Sequence, residues 1–237
     1  RGMDGGIIAA KRGHDVIMSP TSHVYLDYCQ SLSKDEPVCS GNLPLRQVYA
    51  FEPVPEKLTP AQAAHVIGAQ GNVWTERMRS SAAVEYMLWP RALALSEVLW
   101  SPREGRDWED FNRRLEPQLR TLDALRVNYR VPDVIGLEGD AISLNPQAQV
   151  RLTSPLPGAR VRYSLDGSAP TSASPVYAGP IALTLEPGGT VVSARLELPG
   201  GRLGPISRAR YAFAQLQPAS RVDRKALQPG LERDYYE

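Results

Sequence analysis

The sequence holds no apolar stretch near the ~20 residues a helix needs to cross a bilayer, and no long basic run. Its 27 basic residues stand against 26 acidic ones, a formal net charge of +1. Nucleic acid and anionic membrane surfaces are therefore poor candidates for partners, because phosphate binding needs concentrated positive charge. Cysteine is scarce, with only Cys29 and Cys39. Neither sits in a Cys-x-x-Cys or His-rich pattern, which argues against a zinc site. The pair is either a local disulfide, which needs an oxidising compartment, or two unrelated thiols. His14, His23 and His65 lack both ligand spacing and a nucleophile partner. Gly68 and Gly71 lack the Lys-Ser/Thr of a phosphate loop. No metal and no cofactor are expected. An initiator Met and a signal peptide are also missing, and Arg1-Gly-Met-Asp-Gly-Gly-Ile7 reads as the inside of a structured unit. The chain is expected to be a fragment of a longer protein.

What is present is ordinary globular material, 42% hydrophobic and 22% charged, in a length that suits one large domain or two smaller ones. Two compositional halves meet near residues 130–137. In the first, Met3 to Lys11 reads as a helix ended by Gly13. Asp15 to Ser19 reads as a buried parallel strand, and 21–55 as a long polar loop. Thr59-Pro60 starts a helix running to Ile67, and Gly68 to Trp74 forms a second strand. Ala82 to Trp100 has helical apolar spacing that Pro90 should split. Asp107 caps another amphipathic helix, with Phe111, Leu115, Leu119, Leu122 and Leu125 on one face. Trp89, Trp100 and Trp108 are expected to pack. Strand, loop, helix, strand, helix is the pattern of the closing βα units of a parallel barrel.

The second half holds about seven short strand candidates, at 141–144, 148–153, 159–165, 176–177, 180–185, 189–198 and 206–213. Turns at Pro157-Gly158, Asp166-Gly167, Pro187-Gly188 and Gly200-Gly201 separate most of them. Such spacing indicates a small antiparallel, immunoglobulin-like β-sandwich. The expected organisation is barrel portion over 1–130, sandwich over 137–213 and a tail over 214–237.

Functional side chains in a βα barrel lie just past the C-terminal ends of its strands. Tyr25-Leu26-Asp27 and Trp74-Thr75-Glu76 occupy such places. An indole face suits the C–H face of a pyranose, and carboxylates accept hydrogen bonds from its hydroxyls. Each residue also has a plainer reading: Tyr25 and Asp27 as loop residues, Trp74 as a core aromatic, and Glu76 as an acid favoured at the following helix start.

Five linked blocks carry a more specific signal. They are Ser19-Pro-Thr-Ser-His-Val-Tyr-Leu-Asp-Tyr28, Val48-Tyr-Ala-Phe-Glu-Pro53, Gly68-Ala-Gln-Gly-Asn-Val-Trp-Thr-Glu76, Val84-Glu-Tyr-Met-Leu-Trp-Pro-Arg91 and Ser96-Glu-Val-Leu-Trp-Ser-Pro102. In order and spacing they resemble the end of the glycoside hydrolase family 20 barrel. Val161-Arg-Tyr-Ser-Leu-Asp-Gly-Ser-Ala-Pro-Thr171 and Ser174-Pro-Val-Tyr-Ala-Gly-Pro-Ile181 resemble the β-sandwich that follows the barrel in bacterial chitobiases and hexosaminidases. The resemblance implies an α/β plus all-β chain: the C-terminal portion of a (β/α)8 TIM barrel followed by the sandwich. It implies β-N-acetylhexosaminidase activity on oligosaccharides or glycoconjugates ending in N-acetylglucosamine or N-acetylgalactosamine. Tyr25 would hydrogen-bond the substrate's acetamide carbonyl, Asp27 and Glu76 would accept from its 4- and 6-hydroxyls, and Trp74 would stack on the ring. This family is one of the substrate-assisted exceptions among glycosidases, in which the acetamide oxygen is the nucleophile.

The adjacent Asp-Glu pair that serves as acid and orienter in this family is not found. Asp35-Glu36 follows no strand and is rejected for that role. The isolated chain is thus expected to be inactive. Bacterial members of the family suggest a periplasmic or secreted location. Two other readings stand beside the enzyme: a carbohydrate-binding or interaction module centred on the sandwich, and an inactive relative that keeps only the pocket. The sandwich offers Tyr163, Tyr177, Tyr211 and Phe213 but no Trp, which weakens the first of these.

Overall fold

The computed structural model describes residues 2–33, 36–137 and 139–215. Helix α1 (Asp4–Lys11) has Asp4 in its first turn and Lys11 in its last, both favourable to the helix dipole. Gly13, at φ +77°, turns the chain out of it. Strand β1 (Val16–Met18) follows. Gly6 lets α1 lie close on this strand, since a Cβ there would run into the Met18 sulfur. The strand is less buried than its apolar run suggests: Met18 is enclosed, but Ile17 is 56% exposed.

Residues 21–55 are not the long loop their polarity suggests. They form helix α2 (Thr21–Val24), strands β2 (Tyr28–Cys29) and β3 (Ser40–Asn42), and helix α3 (Leu45–Tyr49). Val24, Leu26, Leu43, Val48 and Phe51 from this stretch are fully buried. These anchors are irregularly spaced, so no periodicity reveals them.

Thr59 closes a capping box with Gln62 on helix α4 (Pro60–Ala63). That helix stops sooner than expected, because Val66 and Ile67 enter strand β4 (Val66–Ala69). Strand β4 pairs in parallel with β1, Val16 against Val66 and Met18 against Ala69. The long-range pairing captures β-branched residues that suit a strand. Trp74 therefore lies in the loop beyond the strand, not at its end.

Pro90 divides the next helical stretch into α5 (Ser81–Leu88) and α6 (Arg91–Trp100). Helix α7 (Trp108–Ala124) starts at Asp107, whose side chain accepts from the Asp110 N–H at 2.7 Å. Its buried face is Phe111, Leu115, Leu119 and Leu122, whereas Leu125 lies past the helix end and is exposed. Trp89 packs against the core, and Trp108 packs against Tyr49 and Phe111. Trp100 does not pack: it ends α6 and is 90% exposed.

The second half folds into strands β5 (Ala141–Ser143), β6 (Gln147–Val150), β7 (Arg160–Ser164), β8 (Ile181–Thr184), β9 (Thr190–Glu197) and β10 (Ser207–Phe213). The candidate strand at 176–177 is reduced to a single bridge, Val176 to Arg162. One sheet has the order β5-β10-β9-β7, and β6 pairs with β8. All pairings are antiparallel except β5 with β10, which is parallel, so the sheet is mixed. One contiguous apolar core runs from Ile7 through Ala209. The segment between α7 and β5 takes part in it through Tyr129, Val131, Val134 and Leu137. The chain is thus a partial TIM barrel followed by a β domain. Of the expected tail, residues 216–237 lie outside the described residues.

Candidate active site

The pairing of β1 and β4 continues past their ends. Tyr25 and Asn72 form a parallel bridge. The Leu26 N–H donates to the Asn72 carbonyl, and the Asn72 N–H to the Val24 carbonyl, each at 2.7 Å. The Asn72 side chain is buried; it donates to Ser19 Oγ and accepts from Gln70 Nε2. Gly71 packs closely beside it, where a Cβ would come within 3.0 Å of Leu95 and 3.1 Å of Leu26. These contacts carry the segment holding Tyr25 and Asp27 alongside the one holding Trp74 and Glu76.

All four side chains line one cavity of about 1080 Å³. Trp74 is 53% exposed and does not belong to the core, so the packing reading fails for it. Glu76 is exposed and does not cap the next helix, a task Ser80 performs by accepting from the Ala83 N–H. The Tyr25 ring leans on Tyr28 with centroids 5.7 Å apart. Asp27 sits deeper. It accepts from the Trp74 backbone N–H, while its Oδ1 is buried and has no hydrogen-bond partner among the described residues. Burial, helped by the charge of Glu76, raises the Asp27 pKa; the Trp74 N–H and Arg91 oppose that shift. A phenol donor, two carboxylates and an open indole face thus converge, with one buried acceptor left to satisfy.

Arg91 is the residue that sequence reasoning missed. It is fully buried and donates to four carbonyls, those of Leu26, Tyr28, Leu43 and Met87. Two of these flank Asp27, so the guanidinium fixes that loop from below. Burial, with the charge of Arg130 nearby, lowers its pKa. The sequence clue was a cation embedded in the apolar stretch Met87-Leu-Trp-Pro-Arg-Ala-Leu93, where an uncompensated charge would be costly.

Cys29 and Cys39 are joined in a disulfide, which settles the alternative left open by their spacing. Within the rejected dipeptide, Asp35 lies outside the described residues. Glu36 does not line the cavity and is held in an ion pair with Arg130, both side chains 3% exposed. His65 pairs with Asp15 at 2.9 Å, and His23 stacks on Phe51. Among the described residues, no three His, Cys, Asp or Glu side chains are placed to hold a metal ion.

A βα-barrel portion that carries a polar cavity with one exposed indole, followed by a β domain, defines the class of protein. Residues 3–103 match the glycosyl hydrolase family 20 catalytic domain, and residues 141–202 match the chitobiase/beta-hexosaminidase C-terminal domain. The matches support a fragment of a glycoside hydrolase family 20 protein. It is 37% identical over 235 residues to a beta-hexosaminidase of Porphyromonas gingivalis, a match covering 98% of this chain and 30% of that protein. A beta-N-acetylhexosaminidase of Cellulomonas fimi is 35% identical over 126 residues, covering 52% of this chain and 25% of the relative. Among solved structures, the GH20 exo beta-N-acetylglucosaminidase of Vibrio harveyi in complex with N-acetylglucosamine superposes with a TM-score of 0.52. The sequences are 33% identical there, over 56% of this chain and 21% of that one. The chain thus spans about 30% of the length of the Porphyromonas relative.

Proposed function

We propose that this chain supplies part of the sugar pocket of a β-N-acetylhexosaminidase, which removes terminal N-acetylglucosamine or N-acetylgalactosamine from oligosaccharides or glycoconjugates. The observation that carries the reading is the convergence of Tyr25, Asp27, Trp74 and Glu76 on one cavity, with the Asp27 Oδ1 buried and unpaired. A sugar hydroxyl is the group that would satisfy that atom. Trp74 covers the apolar face of the ring, and Glu76 takes a second hydroxyl.

Tyr25 donates its hydroxyl hydrogen to the acetamide carbonyl oxygen and holds it beneath the anomeric carbon. That oxygen bonds to the anomeric carbon as the bond to the leaving oxygen breaks, and the leaving oxygen takes a proton from a general acid. The resulting oxazolinium ring is positively charged, which an O–H donor does not stabilise, so the phenol acts by holding the acetamide oxygen in line for attack. Water then adds to the anomeric carbon while giving a proton back to the group that acted as the acid, which releases the acetamide and restores the original configuration. No residue described here serves as the acid. It is supplied by the rest of a complete catalytic domain, and the 237-residue chain by itself is inactive. The Cys29–Cys39 bridge supports a periplasmic or secreted location, because such bonds persist in oxidising compartments.

The test is hydrolysis by the protein carrying a complete catalytic domain. It cleaves p-nitrophenyl β-N-acetylglucosaminide but not p-nitrophenyl β-glucoside, which has no acetamide nucleophile. Comparable turnover of the two substrates overturns substrate assistance, and turnover by the isolated chain overturns the placement of the acid.

A further inference from the structure

Asp27 and Val38 line the same cavity, the Asp27 Oδ1 buried and Val38 78% exposed. Pro37 and Ser40 line the same wall. Under the proposed function, Asp27 meets the hydroxyl end of the terminal sugar. The anomeric end and the group attached to it then face outward, against this wall.

The wall is held from both sides. At one end the Cys29–Cys39 bridge and the β2–β3 pairing tie it to the loop of Asp27. At the other end, Glu36 accepts from Arg130 Nε at 2.8 Å and from Ser31 Oγ at 2.9 Å. Arg130 also donates to Asp133 at 2.9 Å and its charge acts on Tyr86, itself part of the cavity lining. The backbone leading into Arg130 is fixed on α5: the Asn128 N–H donates to Glu85 at 2.7 Å, the Asn128 amide to the Ala82 carbonyl at 2.9 Å, and the Arg130 N–H to the Trp89 carbonyl at 3.1 Å. The β domain presses on the same assembly. Arg202 lies over the Tyr129 ring at 4.4 Å and pairs with Asp123 at 3.0 Å, and Ser33 Oγ donates to the Ile206 carbonyl.

We infer that Arg130 is a positioning residue for recognition of the group beyond the terminal sugar. Acting through Glu36 and Tyr86, it sets the wall of Pro37, Val38 and Ser40 against which the leaving portion of the substrate rests. The inference rests on the proposed hexosaminidase function. Arg130 touches no substrate itself. A buried ion pair held in several directions gives geometric definition more than net stability, and the planar fork of an arginine is what binds Glu36 and Asp133 together.

The experiment uses the protein with a complete catalytic domain and two probes. N,N′-diacetylchitobiose occupies both the terminal-sugar site and the wall, whereas free N-acetylglucosamine, measured as an inhibitor, occupies the first alone. Arg130→Lys keeps the charge and loses the fork. It is expected to raise KM for diacetylchitobiose roughly five- to tenfold, as a displaced wall misplaces the substrate, and to leave the inhibition constant of N-acetylglucosamine within about twofold. Val38→Asp, at an exposed position that the fold does not depend on, should show the same split. If Arg130→Lys fails to fold, Val38→Asp decides whether this wall meets the leaving portion. In the double variant the two effects should be less than additive, because both act through one wall. Equal changes for both probes, or no change for either, overturn the inference. A wild-type protein that neither hydrolyses diacetylchitobiose nor binds N-acetylglucosamine overturns the hexosaminidase reading beneath it.

Discussion

Tyr25 and Asn72 are bridged in parallel beyond the ends of the two strands that carry them. Tyr25 and Trp74, 49 positions apart in sequence, are thereby placed on one cavity wall by backbone hydrogen bonds rather than by contact between their own side chains. The bridge lies outside the β1–β4 ladder and rests on two backbone hydrogen bonds, Leu26 N–H to the Asn72 carbonyl and Asn72 N–H to the Val24 carbonyl.

Removing only the phenolic oxygen tests the role given to Tyr25. In the protein with a complete catalytic domain, Tyr25→Phe should lower kcat by roughly 10²-fold, the scale of misplacing a reacting group by about an ångström. Wild-type turnover of p-nitrophenyl β-N-acetylglucosaminide by this variant would exclude the role.

Under the proposed function, Glu76 contacts the sugar in ground and transition states alike. Glu76→Gln should therefore raise KM, by about tenfold for a weakened charge-assisted hydrogen bond, with little effect on kcat. Steady-state kinetics separates the two parameters, and a pure kcat defect counts against this assignment.

Asp27 accepts hydroxyls best as a carboxylate, yet burial raises its pKa above the ordinary 3.8. KM should thus be high at acidic pH and fall as pH rises through the raised Asp27 value. The same shift makes the folded state hold a proton that the unfolded chain has lost, so the contribution of Asp27 to stability declines as pH climbs from 3.8 through that value. Asp27→Asn should flatten the acid limb of the KM profile. An unchanged limb in that variant would assign the titration to another group.

The Cys29–Cys39 crosslink closes a short loop, so chain entropy puts its contribution at about 2–3 kcal/mol. Cys29→Ser with Cys39→Ser should lower the melting temperature by several degrees, and a reducing agent should lower the native protein's to a similar extent. Calorimetry of the native protein with and without reductant, beside the double variant, is the check. Equal melting temperatures throughout would mean that the loop is held by its ion pair alone.

Arg91→Met fills the space and removes the donors, leaving the carbonyls of Leu26, Tyr28, Leu43 and Met87 without their shared partner. With each orphaned carbonyl worth about 1–3 kcal/mol, the loss should exceed roughly 3 kcal/mol. Arg91→Lys should be milder and should raise KM through the loosened Asp27 loop. Denaturant midpoints and KM, measured together, test both halves of this statement.

Local chemistry announced much of the fold. The helix start at Thr59-Pro60, the break at Pro90, the Asp107 cap and the apolar stripe of α7 all depend on neighbours within a few residues, and each was readable in advance. So were the strands of the β domain, because alternation and turn residues recur at short intervals. Reading failed where partners are distant. Val66 and Ile67 joined β4 because β1 was there to pair with them, and 21–55 folded because Val24, Leu26, Leu43 and Phe51 found a core that no period in that stretch foretold. Trp100 followed its helix and is left 90% exposed among the described residues.

By itself, the sequence determined which chemical groups this protein carries, and the resemblance of its linked motifs to glycoside hydrolase family 20 implied that Tyr25, Asp27, Trp74 and Glu76 belong together. Tertiary structure alone decided that they share one cavity, that Cys29 and Cys39 are bonded, and that the buried guanidinium of Arg91 holds the loop of Asp27. The reason is physical. Caps, turns and periodicity are short-range interactions written along the chain, whereas a cavity, a crosslink and a buried charge are satisfied only by groups that folding brings from far away.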